Sequence, residues 1–243
     1  LTTNALLLSD EVTGFLNREM DNVVISLDGR KSVHDEMRKT LGGRGSYDIA
    51  MENAKRFRRL RGDKSYYVRG TFTAKNLDFS KDVLHLSDEG FDQISVEPVV
   101  TSGGKLEIKR EHLPQIFNEY RILAKEYIKR RKTGKWFNFF HFMVDLDGGP
   151  CLKKRLTGCG AGCEYLAAAP SGEIYPCHQF VGRKDYLMGD VFSRSVSQGI
   201  RQIFASSSLL TKKSCKGCFA KYFCSGGCAA NNIFYAGGID KPY

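Results

Sequence analysis

The chain has 243 residues and a formal net charge of +10 at pH 7, and 42% of its residues are hydrophobic. These proportions are typical of a globular protein and argue against a disordered chain. No apolar run approaches the roughly 20 residues of a membrane-spanning helix, so no membrane partner is expected. The basic residues, among them the run from Arg56 to Arg61, are interpreted as solvated helix faces rather than as a nucleic-acid surface.

The first 146 residues alternate β-rich runs with helical patterns. The apolar and β-branched runs predict strands at 22–27, 66–73, 93–100 and 139–146. The helical periods predict helices at about 9–18, 47–60, 77–86 and 113–131. Strand and helix in succession indicate an α/β fold with a parallel sheet. Such sheets bind their ligands at the carboxyl ends of the strands.

The turn cluster from Asp147 to Pro150 marks a change in the character of the chain. The predicted domains are therefore 1–146 and 147–243. The second has short elements, many glycines and all eight cysteines, which are Cys151, Cys159, Cys163, Cys177, Cys215, Cys218, Cys224 and Cys228. Because a segment with so little periodic apolar pattern builds a small core, metal is expected to stabilise it.

Zinc, disulfides and iron–sulfur clusters each offer an explanation for the thiols. Zinc sites commonly use two C-x2-C pairs, and only Cys215 and Cys218 form one. Disulfides require an oxidising compartment, whereas no export signal is visible and a cytoplasmic location is expected. Iron–sulfur clusters tolerate varied spacings, and a predicted strand that delivers Cys177 suits a buried cluster.

The cysteine order resembles the SPASM domain of radical S-adenosylmethionine (SAM) enzymes. The matching residues are Cys159, Gly172-x4-Cys177, Cys215, Cys218, Cys224 and Cys228. The resemblance implies a small irregular α+β domain that carries two auxiliary [4Fe–4S] clusters. It assigns Cys159, Cys177 and Cys228, with Cys163 or Cys151, to the first cluster. It assigns Cys215, Cys218 and Cys224 to the second, whose last ligand is expected beyond Tyr243.

The first domain resembles the radical SAM partial (β/α) barrel. Ser26-Leu27-Asp28-Gly29 follows the pattern of the fourth barrel strand, and Arg69 lies in the next strand. The resemblance implies that Ser26, Asp28 and Arg69 bind SAM, with the arginine available to its carboxylate. Without the resemblance, the residues alone favour Ser26 as a turn residue and Arg69 as a surface or sheet-edge cation. Leu1 to Asn4 resembles the third strand, so the first strands and a third, catalytic [4Fe–4S] cluster on C-x3-C-x2-C are expected upstream. The chain by itself is then expected not to cleave SAM.

Four stretches are similar to maturases of six-cysteine (SCIFF) peptides, namely 26–33 (SLDGRKSV), 158–162 (GCGAG), 177–182 (CHQFVG) and 224–232 (CSGGCAANN). This resemblance implies a radical SAM oxidoreductase that forms thioether cross-links in a ribosomally made peptide. A deoxyadenosyl radical takes a hydrogen from the peptide, the carbon radical couples to a cysteine sulfur, and an auxiliary cluster accepts the surplus electron. The implied partners are a cysteine-rich precursor peptide and a reductant such as ferredoxin or flavodoxin, with no nucleic acid.

His178 stands where anaerobic sulfatase maturases carry an aspartate after the cysteine. It is a candidate proton acceptor, or a hydrogen-bond partner that tunes the sulfur of Cys177. Other functions stay open: another SPASM maturase of the sulfatase or quinohemoprotein type, a cluster-bearing electron carrier, or a zinc-stabilised nucleic-acid-binding module.

Overall fold

The computed structural model of the chain describes residues 1–144 and 156–243. The chain divides into two compact units, Leu1–Val144 and Asp145–Tyr243. No helix among the described residues is long and apolar enough to cross a lipid bilayer.

The first unit is built on a parallel sheet of five strands. They are β1 Thr2–Thr3, β2 Asn22–Ser26, β3 Ser65–Phe72, β4 Gln93–Pro98 and β5 Asn138–Phe139. Each strand pairs in parallel with the next one along the chain, so the spatial order equals the sequence order. Because parallel crossovers share one hand, this order places the connecting helices on one face of the sheet and leaves the other face open.

The helices of this unit are α1 Asp10–Glu19, α2 Lys31–Met37, α3 Tyr47–Arg61, α4 Ser80–Asp88 and α5 Leu113–Lys132. Ser9 caps α1, since its hydroxyl accepts the N–H of Val12 at 3.2 Å. Strand residues alternate: Val23 and Ile25 are fully buried, whereas Val24 and Ser26 are half-buried. The core joins buried strand and helix residues, among them Leu16, Ile25, Phe57, Val68, Val83, Ile94, Val96 and Leu123. The helices therefore cover the Ile25 face of the sheet.

The structure corrects two predictions of secondary structure. The strand predicted at 139–146 is wrong in its described part, because β5 ends at Phe139 and Phe140–Phe142 form a 3-10 turn. The Phe139 ring is buried, and the Phe142 ring packs edge-on against it with 5.0 Å between the ring centroids. The chain bends after Phe139 because both rings pack against the same core. Helix α2 was not predicted, because it has only seven residues and no side chain caps its amino end.

Arg61 also departs from its interpretation as part of a solvated helix face. Its side chain lies at the end of α3 and the residue is only 3% exposed. The guanidinium donates to the carbonyl oxygens of Met20 and Asp21 at 2.8 Å each and to that of Ser65 at 2.9 Å. Arg61 thus joins the end of α1 to the end of α3 and the start of β3.

The second unit has short elements around a small core. Strands β6 Ala167–Ala168, β7 Glu173–Tyr175, β8 Gly189–Asp190 and β9 Ser195–Val196 form an antiparallel sheet in that order. Its described helices of more than one turn are α6 Gln198–Ser206 and α8 Ala229–Tyr235, with the single turn α7 Lys221–Cys224 before α8. The buried core residues are Ala161, Tyr175, Cys177, Phe180, Phe204 and Ala230. As the sequence predicts, β7 delivers Cys177 directly into this core.

Candidate functional site

Polar side chains line the open face of the parallel sheet in the first unit. Ser26 of β2 is paired with Arg69 of β3, which is paired with Ser95 of β4. Ser26 is half-buried and Arg69 is exposed. Within residues 1–144 neither side chain has a hydrogen bond or an ion pair, so both are available to a ligand. Sequence and structure thus agree that Ser26 and Arg69 are neighbours on one surface.

Glu97, near the carboxyl end of β4, begins a chain of hydrogen bonds that the sequence did not predict. Its Oε2 lies 2.9 Å from Nε2 of His141, and Nδ1 of that ring lies 2.7 Å from the hydroxyl of Tyr120. Ser95 donates to Oε1 of Glu97 at 2.5 Å. Glu97 and His141 are 44 positions apart, and only the adjacency of β4 and β5 brings them together.

The electrostatics of this chain favour an ionised carboxylate. Burial raises the pKa of Glu97, but hydrogen bonds from His141 and Ser95 outweigh it. The charge of Arg69 acts in the same direction, so the pKa of Glu97 lies below its ordinary value. Burial raises the pKa of Tyr120 to about 12. The group can hold a cation at Glu97 or pass a proton towards Tyr120.

A cavity of about 270 Å³ opens at the carboxyl ends of β2, β3 and β4. Its lining is Asp28, Met37, Arg38, Thr71, Thr73 and Val99. The side chain of Asp28 is 3% exposed and accepts hydrogen bonds from Nε of Arg38 at 2.6 Å and from the N–H of Thr71 at 3.0 Å. Asp28 was predicted to bind the cofactor, and the structure places it in the cavity wall with both carboxylate oxygens engaged.

Gly70 sets how closely β2 and β3 approach at this cavity. A Cβ atom at position 70 would lie 2.6 Å from the carbonyl oxygen of Leu27 and 2.9 Å from Cα of Asp28. Both are backbone atoms, which cannot relieve the clash by rotating as a side chain could. The loop that carries Asp28 therefore rests directly on β3 at this position.

The first predicted group of thiols surrounds Cys177 in the second unit. Burial raises the pKa of Cys177, and Cys228 and Cys159 raise it further, so these two thiols lie within electrostatic range of it. The backbone N–H groups of Gln179 and Phe180 act against this, since their hydrogen bonds to the sulfur lower the pKa. Backbone N–H donors around a buried sulfur are what a cluster-bound thiolate uses.

The second predicted group begins on the 3-10 turn Lys213–Cys215 and continues through α7. Cys215 is buried, whereas Cys218 and Cys224 are exposed. The N–H of Cys218 donates to the carbonyl oxygen of Cys215 at 3.2 Å, which folds the C-x2-C pair into one turn. Lys212 lies within electrostatic reach of Cys215, Cys224 and Cys228, which raise its pKa against a larger lowering by burial. The sequence analysis did not single out Lys212.

Two glycines shape the loop between Cys224 and Cys228. Gly226 and Gly227 have φ angles of +77° and +78°, a conformation that side chains disfavour. The carbonyl oxygen of Gly226 accepts Nζ of Lys212 at 2.8 Å and Nδ2 of the buried Asn232 at 3.0 Å. The loop is therefore held by two buried donors.

Three predicted site residues lie apart from these groups or outside the description. Cys151 lies outside the described residues. Cys163 is half-buried, and its thiol donates to the carbonyl oxygen of Arg201 at 3.8 Å. His178 is exposed, with Nδ1 lying 3.1 Å from the hydroxyl of Tyr165. The roles predicted for His178, as proton acceptor or as partner of the Cys177 sulfur, stay predictions.

The donor set of the second unit fits iron–sulfur clusters. All seven described cysteines are free thiols. Among residues 1–144 and 156–243, no three His, Cys, Asp or Glu side chains are placed to hold a metal ion. In a [4Fe–4S] cluster each thiolate binds a different iron, so the ligands need not converge on one point. Such a cluster is suited by three features of this unit: the thiols, the backbone N–H groups near Cys177 and the buried Lys212.

No protein-family model matches the sequence. The chain is 22% identical over 250 residues to the cysteine-type anaerobic sulfatase-maturating enzyme of Clostridium novyi (strain NT), covering 95% of this chain and 63% of that protein. The chain is thus similar in sequence to this enzyme over almost its whole length.

Solved structures of two proteins match the chain. The structure of anSMEcpe with bound AdoMet has a TM-score of 0.75 at 18% identity, covering 95% of this chain and 65% of that one. The same protein with AdoMet and the Cp18Cys peptide has a TM-score of 0.72 at 17% identity. SuiB of Streptococcus suis bound to S-adenosylmethionine has a TM-score of 0.60 at 20% identity, covering 99% and 57%.

These matches confirm the predicted α/β fold with a parallel sheet. They also show a fold shared with two proteins whose solved structures hold AdoMet or S-adenosylmethionine. The six-cysteine specificity and the roles of individual residues stay predictions. The chain spans less than two thirds of the length of each of these relatives.

Proposed function

We propose that this chain is part of a radical SAM peptide maturase that forms thioether cross-links in a cysteine-rich peptide. The observation that carries the proposal is the gathering of Cys159, Cys177 and Cys228, with backbone N–H donors on the Cys177 sulfur, in a chain homologous to a maturase. The peptide-bound structure of anSMEcpe supports a peptide as the substrate. We assign the first unit to a partial (β/α) barrel, supported by its sequential parallel strands, and the second to a SPASM domain.

The residues of the chain take distinct parts in this proposal. When bound, SAM and the clusters supply hydrogen abstraction from the peptide and accept an electron. Ser26 and Arg69 would hold the polar groups of SAM on the open face of the sheet, and Asp28 would fix the adjoining cavity wall through Arg38. Glu97 would hold a cationic group or receive a proton there.

Anaerobic metal analysis tests the cluster assignment. The reconstituted chain is expected to contain about eight irons and a similar amount of sulfide, and to absorb visible light as [4Fe–4S] proteins do. Zinc without sulfide would contradict the proposal and favour a zinc-stabilised module. Iron without affinity for a cysteine-rich peptide, measured by fluorescence anisotropy, would favour an electron carrier.

Replacing Arg69 by alanine is expected to weaken SAM binding about tenfold to hundredfold. A hydrogen bond to a charged group contributes about 1.5–3 kcal/mol, and each 1.4 kcal/mol is about tenfold in affinity. Equilibrium dialysis of the reconstituted chain with SAM measures the loss. The matched control is Arg59→Ala, which removes an exposed arginine from α3. An equal loss in both variants, or unchanged binding in R69A, would contradict the assignment.

A sulfatase-type maturase is the second candidate, because the homologous enzyme matures sulfatases. The two candidates differ in substrate: one modifies its own cysteine-rich peptide, the other a sulfatase sequence. Anaerobic binding of the two peptides to the same preparation separates them. Preference for the sulfatase peptide would favour the second candidate.

A further inference from the structure

Lys212 is a buried cation that no carboxylate neutralises at contact distance. The residue is 4% exposed, and Nζ donates to the carbonyl oxygen of Gly226 at 2.8 Å. Its aliphatic stem lies against the same loop, since a Cβ at Gly226 would meet Cδ of Lys212 at 2.9 Å. Within the described residues Lys212 forms no ion pair, and the exposed Asp240 raises its pKa without a contact.

Lys212 stands between cysteines of both predicted cluster groups, since it lies three positions before Cys215 and binds the Gly226 carbonyl between Cys224 and Cys228. Cys215 and Cys224 belong to one group and Cys228 to the other. Four thiolates around one [4Fe–4S] core leave the assembly with a net negative charge, and the charge near a cluster is among the factors that set its reduction potential. A buried ammonium is stable when such charge surrounds it.

We propose that Lys212 is a positioning residue that supplies buried positive charge to both auxiliary clusters and thereby raises their reduction potentials. This inference rests on the proposed function, because it requires the clusters. Lys212 lies three positions before Cys215, and its Nζ holds the loop between Cys224 and Cys228. One side chain therefore serves both cluster sites, and its burial shields the charge from solvent screening.

Three variants separate the charge from the hydrogen bond. Lys212→Gln keeps an N–H donor for the Gly226 carbonyl and removes the charge. Asn232→Ala removes the other donor to that carbonyl and leaves the charge. Lys213→Gln removes an exposed lysine from the adjacent position. The reconstituted chain is titrated under anaerobic conditions, and the reduced fraction is followed by electron paramagnetic resonance.

At a fixed applied potential K212Q is expected to show about a tenfold lower ratio of reduced to oxidised cluster, or about 59 mV for a one-electron couple. K213Q and N232A are expected to keep the wild-type ratio, and N232A is expected to unfold at a lower temperature. An unchanged ratio in K212Q with full iron content would overturn the inference. An equal shift in K213Q would also overturn it, because surface charge would then suffice.

If K212Q does not assemble its clusters, the iron content of the variants still tests the inference. If K212Q loses iron and Lys212→Arg retains it, the positive charge is what the site needs. If both lose iron, the shape of lysine is what matters and the inference is wrong. Wild-type protein that holds no iron would instead refute the proposed function, so the two failures are distinguishable.

Discussion

Replacing Cys177 by serine is expected to halve the iron of the reconstituted chain, from about eight to about four irons. Cys177 is buried in the core of the second unit, with Cys159 and Cys228 as its neighbours. Serine offers no soft sulfur ligand, so the cluster proposed for this group is expected to be lost. Iron and sulfide assays with the visible spectrum measure the loss.

Cys215→Ser gives the complementary result if the thiols form two separate sites. It is expected to remove the other four irons, and the double variant C177S/C215S is expected to bind almost none. Ser214→Ala, at an exposed position beside Cys215, is the matched control and is expected to retain all the iron. A single variant that abolishes all iron would contradict two separate sites, as would a double variant no worse than either single one.

Loss of both clusters is also expected to destabilise the second unit. Its buried core has six residues, whereas that of the first unit has 25 within the described residues. Small cores of this kind depend on metals or other cross-links for stability. The double variant is therefore expected to expose the second unit to proteolysis before the first.

Arg61→Ala is expected to lower the free energy of unfolding of the first unit by about 3–4 kcal/mol, a large share of a typical domain's stability. The variant leaves the buried carbonyl of Leu16 and the partly buried carbonyls of Met20, Asp21 and Ser65 without this donor. It also removes the contact of the guanidinium with the Phe57 ring, 5.5 Å from its centroid. Urea unfolding followed by circular dichroism measures the change.

The exposed Arg59 on the same helix provides the control for this prediction. Arg59→Ala is expected to change the unfolding free energy by less than about 0.5 kcal/mol. Arg61→Lys is expected to recover little, because one ammonium cannot reach the carbonyls that the planar guanidinium spans. Equal losses in R59A and R61A would show that helix charge, rather than buried hydrogen bonding, is responsible.

The sequence predicts the parallel sheet because the pattern that builds it is local. Val23 and Ile25 alternate with half-buried residues, and the helical period of α3 is clear from Ala50, Ala54 and Phe57. Helix α2 escapes prediction because seven residues make barely two turns and its neighbours stabilise it. The end of β5 escapes for a similar reason, since packing against the core, rather than residue type, bends the chain at Phe140.

The candidate site divides in the same way. The cysteine spacing predicts a metal-binding group of thiols. The pairing of Glu97 with His141, by contrast, depends on the order of the strands in the folded sheet. Lys212 and Arg61 look like surface residues in the sequence because each stands in a basic run. Their burial follows from the carbonyl groups that only the folded chain brings to them.

The close approach at Gly70 limits how the open face of the sheet can be redesigned. The side chains of Ser26, Arg69 and Glu97 can be exchanged to suit another ligand, because their substitution does not require the strand backbones to move. Position 70 allows no such choice, because the space for a first carbon is already filled by Leu27 and Asp28. A side chain at position 70 would collide with the backbone of the neighbouring segment. Substitutions there are therefore expected to disturb the packing of the strands rather than to change which ligand is bound.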